Sequence, residues 1–143
     1  MKNVGISKMK KIIEKIKAKI RGTIDLERLI KDGLSVGDNF HAQEGVIIDP
    51  GHCWLIEIGN NVTLAPRVHI LAHDASTKNI LGYTKISNVK IGNNVFVGMY
   101  ATILKGVHIG NNVIIGANSL VNKNIPDNCV AAGNPCKVIM SLD

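Results

Sequence analysis

Five histidines carry the most versatile chemistry in the chain: His41, His52, His69, His73 and His108. Imidazole ordinarily titrates near neutral pH, so it can accept and return a proton, or ligate a metal when neutral. His69 and His73 stand four apart, and a three-histidine zinc site needs a third to converge on them. Cys53, Cys129 and Cys136 form no CxxC pair and are odd in number. That pattern argues against a disulfide framework and fits a reducing cytoplasm. His73 is set apart by its surroundings: it opens a long polar stretch that runs through Asp74, Ser76, Thr77 and Lys78 to Asn88.

That stretch interrupts a strict pattern. Aliphatic residues recur at every sixth position from Ile91: Val97, Ile103, Ile109, Ile115 and Val121. Gly92, Gly98, Gly110 and Gly116 follow four of them. Four residues past the first five aliphatic positions sits Val95, Ala101, Val107, Val113 or Ser119. The same register holds at Ile58, Leu64 and Ile70, and loosely at Val36, Ala42 and Ile48. Six is neither the period of a helix nor that of a lone strand; a fixed short period marks a solenoid of parallel β-coils. Each hexapeptide supplies a short strand and a corner, and three make one triangular coil. Ile91 then stacks under Ile109, Val97 under Ile115 and Ile103 under Val121. A core column of Ile and Val leaves little room for rings, in keeping with two Phe, two Tyr and one Trp.

Two segments break the register. Asp49-Pro50-Gly51-His52-Cys53-Trp54 precedes Ile58, and a loop of about residues 74–90 separates Ile70 from Ile91. Loops projecting from rigid scaffolds are where function concentrates. His69 and His108 fall just before an aliphatic position and are expected at solvent-facing corners.

The repeats resemble the left-handed β-helix of the hexapeptide-repeat acyltransferases. The tail from Ile125-Pro126-Asp127 through Ala132-Gly133-Asn134-Pro135 to Ile139 is similar to the segment that closes that domain in sugar O-acetyltransferases. Within the family the chain most resembles the serine, maltose and galactoside acetyltransferase group, especially enzymes of capsule and surface polysaccharides. The resemblance implies an all-β solenoid, a left-handed parallel β-helix over residues 34–143, with residues 1–33 forming short N-terminal helices. It implies transfer of an acetyl group from acetyl-CoA to a sugar hydroxyl, without a metal. The histidine that opens the loop, His73, is the implied general base. The segment before it and the loop imply an acceptor pocket of Gln43, Asp49, His52, Trp54 and Tyr83. Gly98, Met99, Ala117, Asn122, Lys123 and Lys137 match the places that hold the coenzyme, in a groove between subunits of a homotrimer. Phe96 stands where the family commonly has Trp. Asp74, Asp49, Glu57 or a backbone carbonyl can orient His73; the residues alone leave these open.

Other classes sharing the fold are a serine O-acetyltransferase-like enzyme, a γ-class carbonic anhydrase-like zinc enzyme and a non-catalytic scaffold. The first usually carries a large helical N-terminal domain, for which about 33 residues is too few. The second lacks a third histidine in a matching corner.

The net charge of +6 is uneven. Residues 1–22 carry eight Lys/Arg against Glu14, whereas the remainder is nearly neutral. No aromatic residues interleave with these lysines, which argues against nucleic acid. Residues 7–21 read as an amphipathic helix with Met9, Ile13, Ile16 and Ile20 on one face. That face packs on the body, lies on an anionic lipid surface, or meets a partner. Asp25 is expected to cap a second helix carrying Leu26, Leu29 and Ile30, which Gly33 ends. No apolar run is long enough to span a bilayer, and no signal-peptide pattern opens the chain. The expected location is cytoplasmic, peripheral to the inner membrane face if the basic helix takes the second of these roles, on lipid.

Overall fold

The computed structural model describes residues 3–143, apart from the side chains of residues 3–5 and 19. Lys2 and the Lys19 side chain, counted in the basic segment, lie outside that description. The period of six folds as expected into a three-sided solenoid of parallel strands. The first face stacks Ser35–Val36, Ile56–Ile58, Val89–Ile91 and His108–Ile109. The second stacks His41–Ala42, Val62–Leu64, Val95–Val97, Val113–Ile115 and Cys129–Ala132, with Lys137–Ser141 added antiparallel at the end. The third stacks Ile47–Ile48, His69–Ile70, Thr102–Ile103 and Leu120–Val121. Ile91 pairs with Ile109, Val97 with Ile115 and Ile103 with Val121, which is the stacking that the repeat implies.

Alternation within each short strand buries one set of side chains. Ile56, Leu64, Ile70, Val97, Ile103 and Ile115 are fully buried. The outward row differs between faces. The first presents Glu57 and Lys90 as an ion pair at 3.0 Å. The second presents Thr63, Phe96, Ile114 and Val130 in register, and Phe96 and Ile114 remain exposed. His69 and His108 lie in strands, not at corners as expected; their side chains point outward because the inward positions are taken by Ile70 and Ile109.

The corner between the first and second faces shows why Asn recurs there. Asn39, Asn61, Asn94, Asn112 and Asn128 all have φ between 54° and 56°. Asn tolerates this left-handed conformation because its short amide can bond locally. Each amide donates to the next: Asn39 to Asn61 at 3.0 Å, Asn61 to Asn94 and Asn94 to Asn112 at 2.9 Å, Asn112 to Asn128 at 2.8 Å. Gly37, Gly59, Gly92 and Gly110, which open the first four of these corners, are required by close approach. A Cβ on Gly92 would lie 2.6 Å from the Gly110 carbonyl oxygen.

α1 (Asn3–Arg21) and α2 (Leu26–Lys31) precede the coils. Asp25 caps α2 by accepting from the Arg28 N–H at 3.2 Å, and Leu29 plugs the open end of the core. Ile30 stays exposed. α1 does not pack on the body: Ile6, Met9, Ile12, Ile13, Ile16 and Ile20 are all exposed, which excludes the first of the three possibilities above for this subunit.

The insertion is more ordered than a polar loop. His73–Asp74 pairs antiparallel with Lys85–Ile86, and the helical turn α3 (Lys78–Leu81) closes the hairpin.

Candidate active site

Ile48 pairs with Ile70, so the corner that leaves Ile48 lies against the corner that leaves Ile70. Both register breaks therefore fall on the same edge of the prism, on consecutive coils. The first is built around Asp49. Its N–H donates to the Ile70 carbonyl at 2.9 Å, extending the strand ladder by one bond. Pro50 and Gly51 then turn the chain into a single 3₁₀ turn, Cys53–Leu55. The buried Cys53 thiol donates to the carbonyls of Leu29 in α2 and of Asp32 just after it, at 3.6 and 3.5 Å, fixing this excursion against the end cap. The second break begins at His73, held by the buried Ala72 before it and by its hairpin partner Ile86.

These corners place Asp49, 1% exposed, beneath a His73 that is 36% exposed. Asp49 Oδ2 accepts from His73 Nδ1 and from the Ala72 N–H at 3.1 Å. Asp49 Oδ1 accepts from the Gly51 N–H at 3.2 Å. Burial raises the Asp49 pKa, but the hydrogen bonds from His73, Ala72 and Gly51 and the His73 charge outweigh it and hold the carboxyl below its ordinary value. An ionised carboxylate only accepts, so His73 carries its proton on Nδ1 and presents the Nε2 lone pair outward. The pair can therefore take a proton from a bound hydroxyl and stabilise the resulting imidazolium.

His52 lies beside this pair. Its ring is 4.8 Å from that of His73, and its buried Nδ1 sits 3.5 Å from Asp49 Oδ1 without a hydrogen bond. Trp54, half exposed, is 6.4 Å from His52, ring to ring. Asp49, His52 and His73 each offer a ligand atom within 4.8 Å of the others, which is the composition of a divalent-cation site. They are two histidines and a carboxylate, not three histidines. His69 remains outside the group, on the third face.

The structure settles the orienting group among the alternatives. Asp74 turns away and accepts from the Ser76 N–H at 2.9 Å, and Glu57 pairs with Lys90. Asp49 is consequently His73's partner. Its oxygens are occupied and buried, leaving no face for the acceptor hydroxyl that the sequence reading assigned to it. Gln43 is not brought to this cluster. It stands on the corner before Ile47–Ile48, and lines a groove of about 600 Å³ with Ile24, Leu26, Phe40, His41, Ala42 and Thr63. Tyr83 is exposed on the hairpin.

The six residues matched to the coenzyme divide between two edges. Gly98, Met99 and Ala117 follow the second face; the Gly98 N–H donates to Ile115, and Met99 accepts from Asn118. Lys137 pairs with Ala132 at the end of the same edge. Asn122 and Lys123 follow Val121 on the other edge, above His73. Lys105, which the sequence reading passed over, occupies the position equivalent to Lys123 one coil earlier. Its charge helps to lower the Asp74 pKa, after the larger effect of the Ser76 hydrogen bonds. The signal was available as two lysines eighteen positions apart. Among the described residues the cysteines are free, and burial pushes the Cys129 and Cys136 thiols up, away from nucleophilic thiolate.

Known proteins resemble this chain in sequence and in fold. Residues 88–123 match the family model described as bacterial transferase hexapeptide (six repeats). The galactoside O-acetyltransferase of Escherichia coli (strain K12) is 40% identical over 116 residues, covering 77% of this chain and 55% of that protein. The chain thus spans about half the length of the curated relatives it matches, 55% for the first three. The crystal structure of a maltose O-acetyltransferase from Clostridium difficile 630 superposes with a TM-score of 0.66 at 32% identity, covering 93% of this chain and 86% of that one. A galactoside acetyltransferase in complex with coenzyme A superposes at 0.60 with 34% identity, covering 82% and 70%. With the six-residue period, the three-faced solenoid and a relative aligned over most of both lengths, the chain belongs to the hexapeptide-repeat acyltransferase family.

Proposed function

We propose that this protein transfers an acetyl group from acetyl-CoA to a hydroxyl of a sugar or surface-polysaccharide acceptor, with His73 as general base. The observation that carries the reading is the buried Asp49 carboxylate bonded to Nδ1 of a half-exposed His73. The acceptor oxygen attacks the thioester carbonyl carbon while His73 Nε2 takes its proton. The tetrahedral oxyanion collapses and the C–S bond breaks. The coenzyme thiolate leaves with the proton from His73, giving an acetyl ester and free CoA. Asp49 holds the productive tautomer and offsets the imidazolium charge.

In this reading residues 34–143 are the acyltransferase domain, wound left-handed, and residues 1–33 are a helical extension. Coenzyme runs along the third face between its two edges, Gly98, Met99, Ala117 and Lys137 on one and Asn122 and Lys123 on the other. His52, Trp54 and Tyr83 border the acceptor. A homotrimer completes the groove. The apolar row of Phe96 and Ile114 on the second face supports it, since a threefold contact buries that row in each subunit.

The test is a screen of sugar and polysaccharide acceptors with acetyl-CoA, read by thiol release. The expected result is acceptor-dependent release that falls by about 10²–10⁴ in His73→Ala, the usual contribution of a general base, with acetyl-CoA affinity retained. Near wild-type turnover in His73→Ala, or no hydroxyl acceptor that releases thiol, would overturn the reading.

A further inference from the structure

α1 is the largest element that the fold leaves uncovered. Its exposed apolar residues, Ile6, Met9, Ile12, Ile13, Ile16 and Ile20, are between 45% and 80% exposed. At about 100° per residue they fall within an arc of about 120°. Lys8, Lys10, Lys11, Lys15, Lys17 and Arg21 occupy the rest of the circumference. Glu14 is the one acid among them, and it is already engaged by Lys17 at 3.1 Å. Lys10 and Lys17 flank the apolar arc on one side and Lys8 borders it on the other.

Two coverings fit an apolar helical stripe. Ile6, Met9, Ile13, Ile16 and Ile20 alternate in steps of three and four, the seam of a coiled coil. A bundle of α1 copies would be little more than two heptads long, which is marginal. It would also set lysine flank against lysine flank with only Glu14 to offset them. An anionic bilayer satisfies both faces together. The isoleucines enter the boundary between headgroups and acyl chains, and the flanking lysine stems run along it with their ammonium groups at lipid phosphates. The charge complementarity favours the lipid.

We propose that α1 docks this protein on a membrane surface rich in anionic phospholipid, lying in the plane of the interface. Among the described residues no helix is long and apolar enough to cross a membrane. The end of α1 is tied to the coils. Thr23 Oγ1 donates to the Ala18 carbonyl at 2.7 Å, and the Gly45 N–H donates to the Gly22 carbonyl at 2.9 Å. A docked helix therefore carries the solenoid with it. The docking is a lipid-binding property that does not depend on the acyl transfer proposed above.

The experiment is co-sedimentation of the full chain with vesicles of phosphatidylglycerol or of phosphatidylcholine. Binding is expected to phosphatidylglycerol alone and to weaken as salt is raised. Each near-surface lysine is worth about fivefold in affinity, so Lys8→Gln, Lys11→Gln and Lys15→Gln together lose on the order of a hundredfold. Ile13→Asp with Ile16→Asp abolishes binding, while melting temperature and sedimentation without lipid stay those of the parent. Three results overturn the proposal. One is no binding to phosphatidylglycerol, and another is binding that survives Ile13→Asp with Ile16→Asp. The third is a lipid-free change in oligomeric state or melting in that variant, which means that protein covers the stripe.

Discussion

Asp49→Asn isolates the charge beneath His73 with little change of shape. In the parent, Asp49 accepts three N–H groups: His73 Nδ1 and Ala72 on Oδ2, and Gly51 on Oδ1. An amide keeps one acceptor. With its oxygen toward His73 and Ala72, the new NH₂ faces the Gly51 N–H, and that bond is lost. The NH₂ gains a compensating acceptor in His52 Nδ1, which sits 3.5 Å from Oδ1 without a partner. The structural cost is therefore small, about 1–3 kcal/mol, mostly from replacing charge-assisted bonds by neutral ones. That corresponds to a loss of several degrees in melting temperature. The catalytic cost is larger, because the carboxylate no longer balances the imidazolium formed during transfer. An acid removed from beneath a catalytic histidine elsewhere costs about 10⁴ in turnover, so a fall of about 10²–10⁴ in kcat is expected.

The pH dependence gives an independent check. The folded-state pKa of Asp49 is depressed, so its stabilisation is present above the unfolded value of 3.8 and is lost as pH falls through the lower folded value. The stability difference between parent and Asp49→Asn is therefore constant at neutral pH and shrinks below the unfolded value. Thiol-release kinetics, acetyl-CoA titration and urea melts across pH measure all three quantities. Turnover within a few-fold of the parent in Asp49→Asn, or a larger loss in Asp74→Asn, refutes the assignment of the orienting group.

The asparagine ladder gives a stability prediction. Asn112→Ala loses the bonds to Asn94 and Asn128 and puts alanine at φ 54°, costing about 2–3 kcal/mol by urea denaturation. Asn112→Gly recovers the backbone share, and equal losses in the two variants would discount the conformational argument. Gly92→Ala drives a methyl to 2.6 Å from the Gly110 carbonyl and 2.7 Å from Asn111 Oδ1; it should cost more than the loss of a surface contact, at least about 2 kcal/mol by the same measurement. Phe96→Glu with Ile114→Glu puts charge on the apolar row and should dissociate the proposed homotrimer in sedimentation velocity with the coils still folded; an association state that these charges leave unchanged refutes the assignment of the interface to this face.

The period of six was legible because it is local. An aliphatic residue every sixth position, with glycine after most of them, dictates strand and corner within one hexapeptide, whereas the role of asparagine at one corner shows only once the coils stack. Regular stacking followed, since neighbours across coils are eighteen positions apart wherever no residue is inserted. Asp25, Leu29 and Gly33 likewise announced the second helix through capping alone. The partner of His73 was not legible in that way. Asp49 lies twenty-four positions earlier, and its choice over Asp74 and Glu57 depends on insertions in two successive corners falling on one edge. Adjacent Asp74 lost because its side chain turned to Ser76, a local bond visible only in three dimensions. The family resemblance put Gln43 in one pocket with Asp49, yet the strand Ile47–Ile48 of the third face places them at opposite corners. Burial decided the rest: which of three acids sits enclosed beneath His73, and whether the isoleucines of α1 find protein to cover them. Both are sums over contacts between distant residues, which a periodic pattern limits but does not determine.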